Sequence, residues 1–173
     1  MPTEVPVIAT ARLRLRGHRP DDFAACAAMW ADPAVTRFTG GRPFTPEESW
    51  ARLLRFAGHW DWFGHGFWAV EDSGGFVGHL GFADFRRGLT PSLDGTPEAG
   101  WSFAAAAQGK GYATEALTAA LAWGDTHLDA PTTACIIDPD NTASIRVATK
   151  CGYHERLRTS YKGAPTILFE RRA

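Results

Sequence analysis

The N-terminal part of the chain alternates between strand-like and helix-like patterns of apolar residues. Leucines alternate with arginines over residues 11–16, which is the two-residue period of a strand with one face in water. Apolar residues then recur at helical spacing between Asp21 and Pro33. The helix should end there, because the residue before a proline is pushed out of the helical conformation. Thr45, Pro46 and the two acids after them predict the first turn of a longer helix.

The middle of the chain has the pattern of a hairpin followed by a loop. Two aromatic-rich apolar runs, at residues 67–71 and 76–85, flank the turn sequence DSGG at residues 72–75. Such runs around a glycine-containing turn predict an antiparallel hairpin. Residues 86–97 are rich in Gly, Pro and Ser, which predicts a loop that leaves and rejoins the same domain.

The C-terminal half alternates between strand and helix patterns. The predicted elements are a strand at 98–103, a helix at 113–128, a buried strand at 132–137, a short helix from Asp138 to Gly152, and strands at 153–161 and 165–170. The whole order is β-α-α-β-β-β-α-β-α-β-β. It indicates a mixed α/β layer sandwich with antiparallel pairing early and a strand-helix-strand crossover in the middle.

Composition and charge narrow the function classes. The 173 residues are 45% apolar and 21% charged, which predicts one globular domain over residues 1–173. Lys and Arg number 18 and Asp and Glu 19, a net charge of −1, so no global positive field is available for nucleic acid. No apolar run suits a signal peptide or a membrane span. Cys26, Cys135 and Cys151 lack CxxC spacing, and we expect core thiols in a cytoplasmic protein.

The segment from Glu98 to Glu115 is the most informative for chemistry. A predicted strand runs through a turn that contains Gly109 and Gly111 directly into a helix. The first turn of a helix presents unpaired N–H groups and the positive end of the helix dipole, so glycines there allow a phosphate to approach the main chain. The string GxxxxGK[ST] is absent. The string GxGxxG is absent too, because Thr114 stands where its third glycine would fall after Gly109 and Gly111. The turn therefore predicts a phosphate site of another kind.

Two motifs resemble those of the GNAT N-acetyltransferase superfamily. The string QGKGYA at residues 108–113 matches its pyrophosphate signature Q/R-x-x-G-x-G/A, and residues 141–153 match a second signature, N-x-x-[AS]-x-x-x-x-x-K-x-G-[FY]. The opening TARLRLRGHRPDD and the hairpin FWAVEDSGGFVGHLGF are similar to ribosomal-protein N-terminal acetyltransferases of the RimJ/RimL type. The resemblance implies a mixed central sheet of about seven strands, helices on both faces and a splayed pair of parallel strands, here residues 98–103 and 132–137.

The resemblance also implies that acetyl-coenzyme A binds between the splayed strands. Backbone amides of the turn would hold the pyrophosphate, main-chain groups of the strand before it would pair with the pantetheine arm, and an N–H near Phe103 would polarise the thioester carbonyl. The implied coenzyme-binding residues are Trp101, Ser102, Phe103, Gln108, Gly109, Lys110, Gly111, Tyr112, Ala113, Thr114, Asn141 and Ser144.

The implied reaction is direct attack of a neutral primary amine on the thioester. Our candidate for the general base is Glu98, which opens the strand leading to the coenzyme. Many superfamily members have a tyrosine acid seven residues after the asparagine of the second signature. That position is Ala148 here, and we name Ser144 as the substitute. The expected acceptor is a protein or peptide N-terminal α-amine.

Other interpretations of the same residues stay open. Asn141 and Gly152 are also typical helix caps, and Glu98 could be ion-paired instead of catalytic. The acceptor could be a polyamine, an aminoglycoside or an amino acid, or the protein could be a non-catalytic acetyl-coenzyme A sensor or an interaction domain. The histidines of residues 59–79 lack partners at zinc-ligand spacing, so we expect no metal. Trp68 should be core, whereas Trp62 could be core or line the acceptor site. We expect a monomer or a homodimer.

Overall fold

The computed structural model describes residues 3–173, and its elements follow the predicted order. The strands are β1 (Ile8–Ala9), β2 (Arg14–Arg16), β3 (Phe67–Asp72), β4 (Gly75–Ala83), β5 (Glu98–Phe103), β6 (Thr132–Ile137), β7 (His154–Tyr161) and β8 (Ala164–Arg172). The helices are α1 (Phe23–Trp30), α2 (Pro33–Thr36), α3 (Pro46–Phe63), α4 (Tyr112–His127) and α5 (Thr142–Lys150). The short helix α2 and the two-residue β1 were not predicted. No helix of this part of the chain has the length and apolar character needed to cross a bilayer.

All eight strands form one sheet in the order β1-β2-β3-β4-β5-β6-β8-β7. Neighbouring strands are antiparallel except β5 and β6, which are parallel. The sequence predicts about seven strands because β1 pairs over only two residues, Ile8 with Leu15 and Ala9 with Arg14, too few to produce a periodic pattern.

The parallel pair opens immediately after its first residues. Glu98 and Ala134 are the one registered pair between β5 and β6, and the N–H of Ala134 donates to the carbonyl of Pro97 at 3.1 Å. Beyond this point β5 remains paired with β4 as far as Phe103. Within the part of the chain that the structure describes, the edge of β5 that faces β6 therefore has no strand partner over residues 99–103, which confirms the predicted splayed pair.

Helices cover both faces of the sheet, as predicted. Trp68, Leu80 and Phe82 point to the face where α4 packs, in one cluster with Leu117. On the other face α3 packs Phe56 against Phe67, with ring centroids 4.3 Å apart. Because side chains alternate along a strand, the two faces of β3 and β4 are buried under different helices.

Local signals explain why α3 begins and ends where it does. Thr45 accepts a hydrogen bond from the N–H of Glu48, and Glu48 accepts one from the N–H of Thr45, which satisfies two otherwise unpaired donors. Gly64 ends the helix in the left-handed conformation, with φ of 67°. Trp68 is fully buried, as predicted, whereas Trp62 on the last turn of α3 is 84% exposed and is not part of the core.

The expectation that the arginine face of the first strand lies in water is wrong for Arg16. Its guanidinium is buried and donates to both carboxylate oxygens of Asp22, at 2.7 and 2.8 Å, and to Glu71. The turn at residues 20–22 folds back over the strand and supplies the carboxylate. The alternation of leucine and arginine does not distinguish the two cases, because a buried arginine that binds a carboxylate through two hydrogen bonds is as compatible with it as an exposed one.

Candidate functional site

The turn between β5 and α4 has the conformation that its glycines permit. Gly109 and Gly111 have φ of 74° and 78°, in the left-handed region that other residues rarely adopt. A Cβ at Gly109 would meet no other atom within 4 Å, so the main chain there faces open space. The glycines thus expose the backbone at the N-terminus of a 16-residue helix.

Backbone N–H groups accumulate at this turn without internal partners. The first helical bond of α4 runs from the N–H of Glu115 to the carbonyl of Gly111 at 3.1 Å. The N–H groups of residues 109–114 make no hydrogen bond to any residue of the 3–173 range. Gln108 differs from the prediction, since its N–H donates to the carbonyl of Ala105 at 3.2 Å. The remaining six unpaired amides lie at the positive end of the helix dipole, which is an arrangement that favours an anion.

Arg12, which sequence reasoning did not select, holds this turn in place. Its Nη1 donates to the carbonyl of Lys110 at 2.8 Å, and its Nε donates to Glu115 at 2.7 Å. Its guanidinium carbon lies 4.8 Å from the centre of the Tyr112 ring. A Cβ at Gly111 would lie 3.5 Å from Nη2 of Arg12, so the ion pair of Arg12 with Glu115, at 2.7 Å, stands beside the unpaired amides. The sequence shows Arg12 only as one of three alternating arginines, which is why the strand pattern hides this role.

The side chain of Gln108 joins the turn to the splayed strand. Its Nε2 donates to the carbonyl of Phe103 at 3.0 Å. Phe103 is buried, whereas Trp101 and Ser102 are half-buried. The predicted pantetheine-binding residues therefore lie at the open edge of β5, directly before the amide-rich turn.

The second motif forms the helix that follows β6. The side-chain oxygen of Asn141 accepts from the N–H of Ser144 at 3.2 Å, so the predicted N-cap is confirmed. Gly152, with φ of 87°, follows the last turn, and the N–H of Tyr153 donates to the carbonyl of Ala148, as in a glycine-ended helix. The half-buried Ser144 hydroxyl makes no hydrogen bond within the described chain and is free to act on a bound molecule. Ala148 is fully buried in the main core.

Glu98 lies at the point where β5 and β6 separate and is ion-paired. It is 4% exposed, and Nε of Arg87 lies 2.8 and 3.0 Å from its two carboxylate oxygens. Arg87 also donates to the hydroxyl of Tyr161 at 3.2 Å. Burial raises the pKa of Glu98, and the Arg87 hydrogen bonds oppose that rise without cancelling it. The ion-paired interpretation is thus confirmed, and a catalytic role stays a prediction.

A second group of titratable side chains comes together under α1 and α3. The donor atoms of His18, Cys26 and His79 lie within 4.8 Å of one another, a proximity that their sequence spacing hides. The ring nitrogens of His18 and His79 are buried and have no hydrogen-bond partner among the described residues.

Charges of both signs surround this group. Burial lowers the pKa of His18 to about 4 and that of His79 well below its usual value, and Arg52 and Arg55 lower the pKa of His79 further. Asp22 acts in the opposite direction, since its charge opposes the fall in the pKa of His18. The expectation of no metal stays a prediction.

Comparison with known proteins places this geometry among acetyltransferases. A family model described as an acetyltransferase (GNAT) domain matches residues 12–154. The uncharacterized protein YkkB of Bacillus subtilis is 30% identical over 96% of this chain and 95% of its own length. A structure described as a GnaT-family acetyltransferase from Bordetella pertussis has a TM-score of 0.84 and 34% identity, covering 96% of this chain and 99% of that one.

A more distant structure shares the fold. RimL, an α-N-acetyltransferase of ribosomal protein L7/L12 in complex with coenzyme A, has a TM-score of 0.79 at 16% identity and covers 96% of this chain and 98% of that one. At this identity the likeness concerns the arrangement of strands and helices.

Proposed function

The chain belongs to the acetyltransferase (GNAT) domain family, and from that membership we propose that it transfers the acetyl group of acetyl-coenzyme A to the α-amine of a peptide or protein N-terminus. GNAT acetyltransferases use acetyl-coenzyme A, which supplies an activated thioester. The observation that carries the proposal is the run of six unpaired amides at residues 109–114, directly after the open edge of β5. Phosphate oxygens are the ligands that such amides favour.

Each part of the site has one task in this proposal. The amides of residues 109–114 hold the pyrophosphate, and Arg12 fixes the turn that carries them. The unpaired edge of β5 binds the pantetheine arm as an added strand would bind. A main-chain N–H near Phe103 donates to the thioester oxygen, on which charge develops during attack. Asn141 holds the start of α5 in place, so that Ser144 can protonate the departing thiolate.

Glu98 acts in this proposal as the base that receives the proton of the amine, directly or through a water molecule. Burial raises its pKa, which makes the carboxylate a better proton acceptor near neutral pH, and Arg87 fixes its orientation. An α-amine suits such a base. Deprotonating a lysine-like amine with a pKa near 10.4 at pH 7 costs about 3 kcal/mol more than deprotonating an α-amine near 8, at roughly 1.36 kcal/mol per unit.

The proposal is tested by thermal unfolding and thiol release on the intact protein. We expect acetyl-coenzyme A to stabilise the fold, and release of coenzyme A thiol with N-terminal peptides to exceed release with polyamines or aminoglycosides. Turnover with small amines alone would move the acceptor to a metabolite. Stabilisation without turnover would favour an acetyl-coenzyme A sensor, and the absence of both would overturn the coenzyme site.

Ser144→Ala separates a role in the reaction from a role in helix capping. The cap uses the N–H of Ser144, not its hydroxyl, so the substitution leaves α5 intact. If the hydroxyl protonates the leaving thiolate, we expect kcat to fall about 10-fold to 100-fold, by analogy with other general acids, while the coenzyme KM changes little. Thr142→Ala, at an exposed position of the same helical turn, is the control. An unchanged kcat in Ser144→Ala would leave the hydroxyl without a catalytic role.

A further inference from the structure

Two arginines one turn apart on α3 lack a carboxylate partner. Arg52 and Arg55 are three positions apart in the sequence, so their side chains are neighbours on one face of α3. Within residues 3–173 no Asp or Glu oxygen lies within 4.0 Å of either guanidinium. As whole residues, Arg52 is half-buried and Arg55 is exposed.

Three carboxylates around this pair each bind another arginine. Glu48 pairs with Arg42 at 2.6 Å, Asp84 with Arg86 at 3.1 Å and Glu98 with Arg87 at 2.8 Å. Each of these ion pairs is neutral. None of the three carboxylates therefore forms an ion pair with Arg52 or Arg55.

Aromatic rings hold both guanidiniums in place. The Arg52 guanidinium carbon lies 4.5 Å from the centre of the Trp30 ring and 4.7 Å from that of Phe44, and these rings stack 5.2 Å apart. The Arg55 carbon lies 5.1 Å from the centre of the Phe85 ring. Burial and the neighbouring Arg55 and Arg87 lower the pKa of Arg52 to about 10. Guanidiniums fixed over rings lose little freedom when they bind a ligand.

Phe85 connects this pair to the expected reaction centre. The guanidinium carbon of Arg87 lies 4.5 Å from the same Phe85 ring, and Arg87 binds Glu98 at the start of the open edge of β5. Glu98 and Ser102 share the sheet face of His79, opposite the face covered by α4. The amide-rich turn leads into α4, so the two arginines lie on the side from which a second substrate can reach the thioester.

We propose that Arg52 and Arg55 bind a carboxylate carried by the acceptor close to its reacting amine. The inference rests on the proposed function and specifies its substrate class as an acidic α-amine. Arginine binds carboxylates through two parallel N–H donors, and a partly desolvated pair binds more strongly than an exposed one. The carboxylate supplies the ion-pair partner that these two arginines lack among residues 3–173. Such a group occurs in a free amino acid and in the acidic side chain of an N-terminal peptide.

Matched acceptors test whether a carboxylate on the acceptor is recognised. They also show whether that carboxylate belongs to a free amino acid or to a peptide side chain. Thiol release is measured with alanine against alaninamide, and with alanyl-glutamyl amide against alanyl-glutaminyl amide. We expect a preference of 10-fold or more in kcat/KM for the acid in one pair, weakened by salt. A preference in the first pair identifies an amino acid, and one in the second identifies an acidic N-terminus. Equal use of acid and amide in both pairs would overturn the inference.

Variants connect the preference to the two arginines. In Arg52→Gln and Arg55→Gln we expect KM for the acidic acceptor to rise 10-fold or more, with little change in kcat, in KM for the amide or in coenzyme stabilisation. Arg37→Gln is the control, since Arg37 is an exposed arginine whose guanidinium carbon lies 4.9 Å from the ring centre of its neighbour Phe38. Equal loss with acid and amide would also contradict the inference.

Calorimetry in the presence of coenzyme A gives a readout that does not depend on turnover. We expect the acidic peptide or amino acid to bind the wild-type protein more tightly than its amide, and this difference to vanish in Arg55→Gln. Failure of the proposed function has a different signature, because acetyl-coenzyme A would then neither stabilise the protein nor lose its acetyl group to any amine. Coenzyme binding with no acid preference would count against the arginine pair alone.

Discussion

Gly111→Asp is expected to abolish coenzyme binding. The glycine has φ of 78°, so any side chain is strained there, and a carboxylate would lie among the amides that receive the pyrophosphate. With acetyl-coenzyme A at 100 times its Kd, the free energy of unfolding of the wild-type protein rises by about 2.7 kcal/mol. This gain corresponds to roughly 5–10 °C in Tm for a domain of this size. We expect the variant to show no such shift at the same concentration, and its Kd by calorimetry to rise 100-fold or more.

Two further variants separate strain from charge. Gly64→Asp places the same side chain at a φ of 67° in open space at the end of α3, and it should lower Tm slightly while keeping the coenzyme shift. Gly111→Asn adds the same bulk without the charge and should retain part of the affinity. An unchanged affinity in Gly111→Asp would show that the pyrophosphate does not bind at this turn.

Arg87→Met is expected to destabilise the fold by about 2–4 kcal/mol, because it leaves Glu98 buried without its cation. The loss is smaller than for a fully buried pair, because water reaches the Arg87 side chain, which is 23% exposed. The folded-state pKa of Glu98 is already raised by burial, and loss of the arginine raises it further. The folded protein then binds the proton more tightly than the unfolded chain, so stability falls as pH rises from the ordinary glutamate pKa through the folded one. Urea unfolding at pH 5 and pH 8 should show a larger loss at pH 8.

The same variant tests Glu98 as the base. If the ionised carboxylate is required, a higher pKa moves the acid limb of the kcat/KM profile to higher pH. Glu98→Gln, which keeps much of the side-chain shape, should lower kcat about 100-fold and remove that limb. Asp125→Asn removes the partner of another arginine, Arg171, at 2.6 Å, away from the site, and should leave the profile unchanged. An unshifted acid limb in Arg87→Met would leave Glu98 a structural ion-pair partner.

Local signals in the sequence predicted much of the architecture. Strands 98–103 and 132–137 were predicted with the bounds the structure has, because short apolar runs bounded by turn residues leave few alternatives. The start of α3 followed from Thr45 and Pro46, since capping involves residues only three apart. The glycines of the 108–113 turn indicated a phosphate site for a similar reason, because a left-handed backbone requires a residue type that is visible in the sequence.

Tertiary structure alone decided which distant side chains meet. Arg12 reaches the turn at residues 108–113 from the far end of the chain, and Glu98 is paired with an arginine from the loop before it. That Arg52 and Arg55 lack an ion-pair partner within residues 3–173 becomes apparent only in the structure, where Glu48, Asp84 and Glu98 each bind another arginine. Such pairings form only when segments that are remote in sequence fold together. Neither the period of apolar residues nor the spacing of a motif predicts them. The sequence alone determined the longer elements and the glycine turn after β5, because these depend on local signals, and the fold decided which distant charges meet.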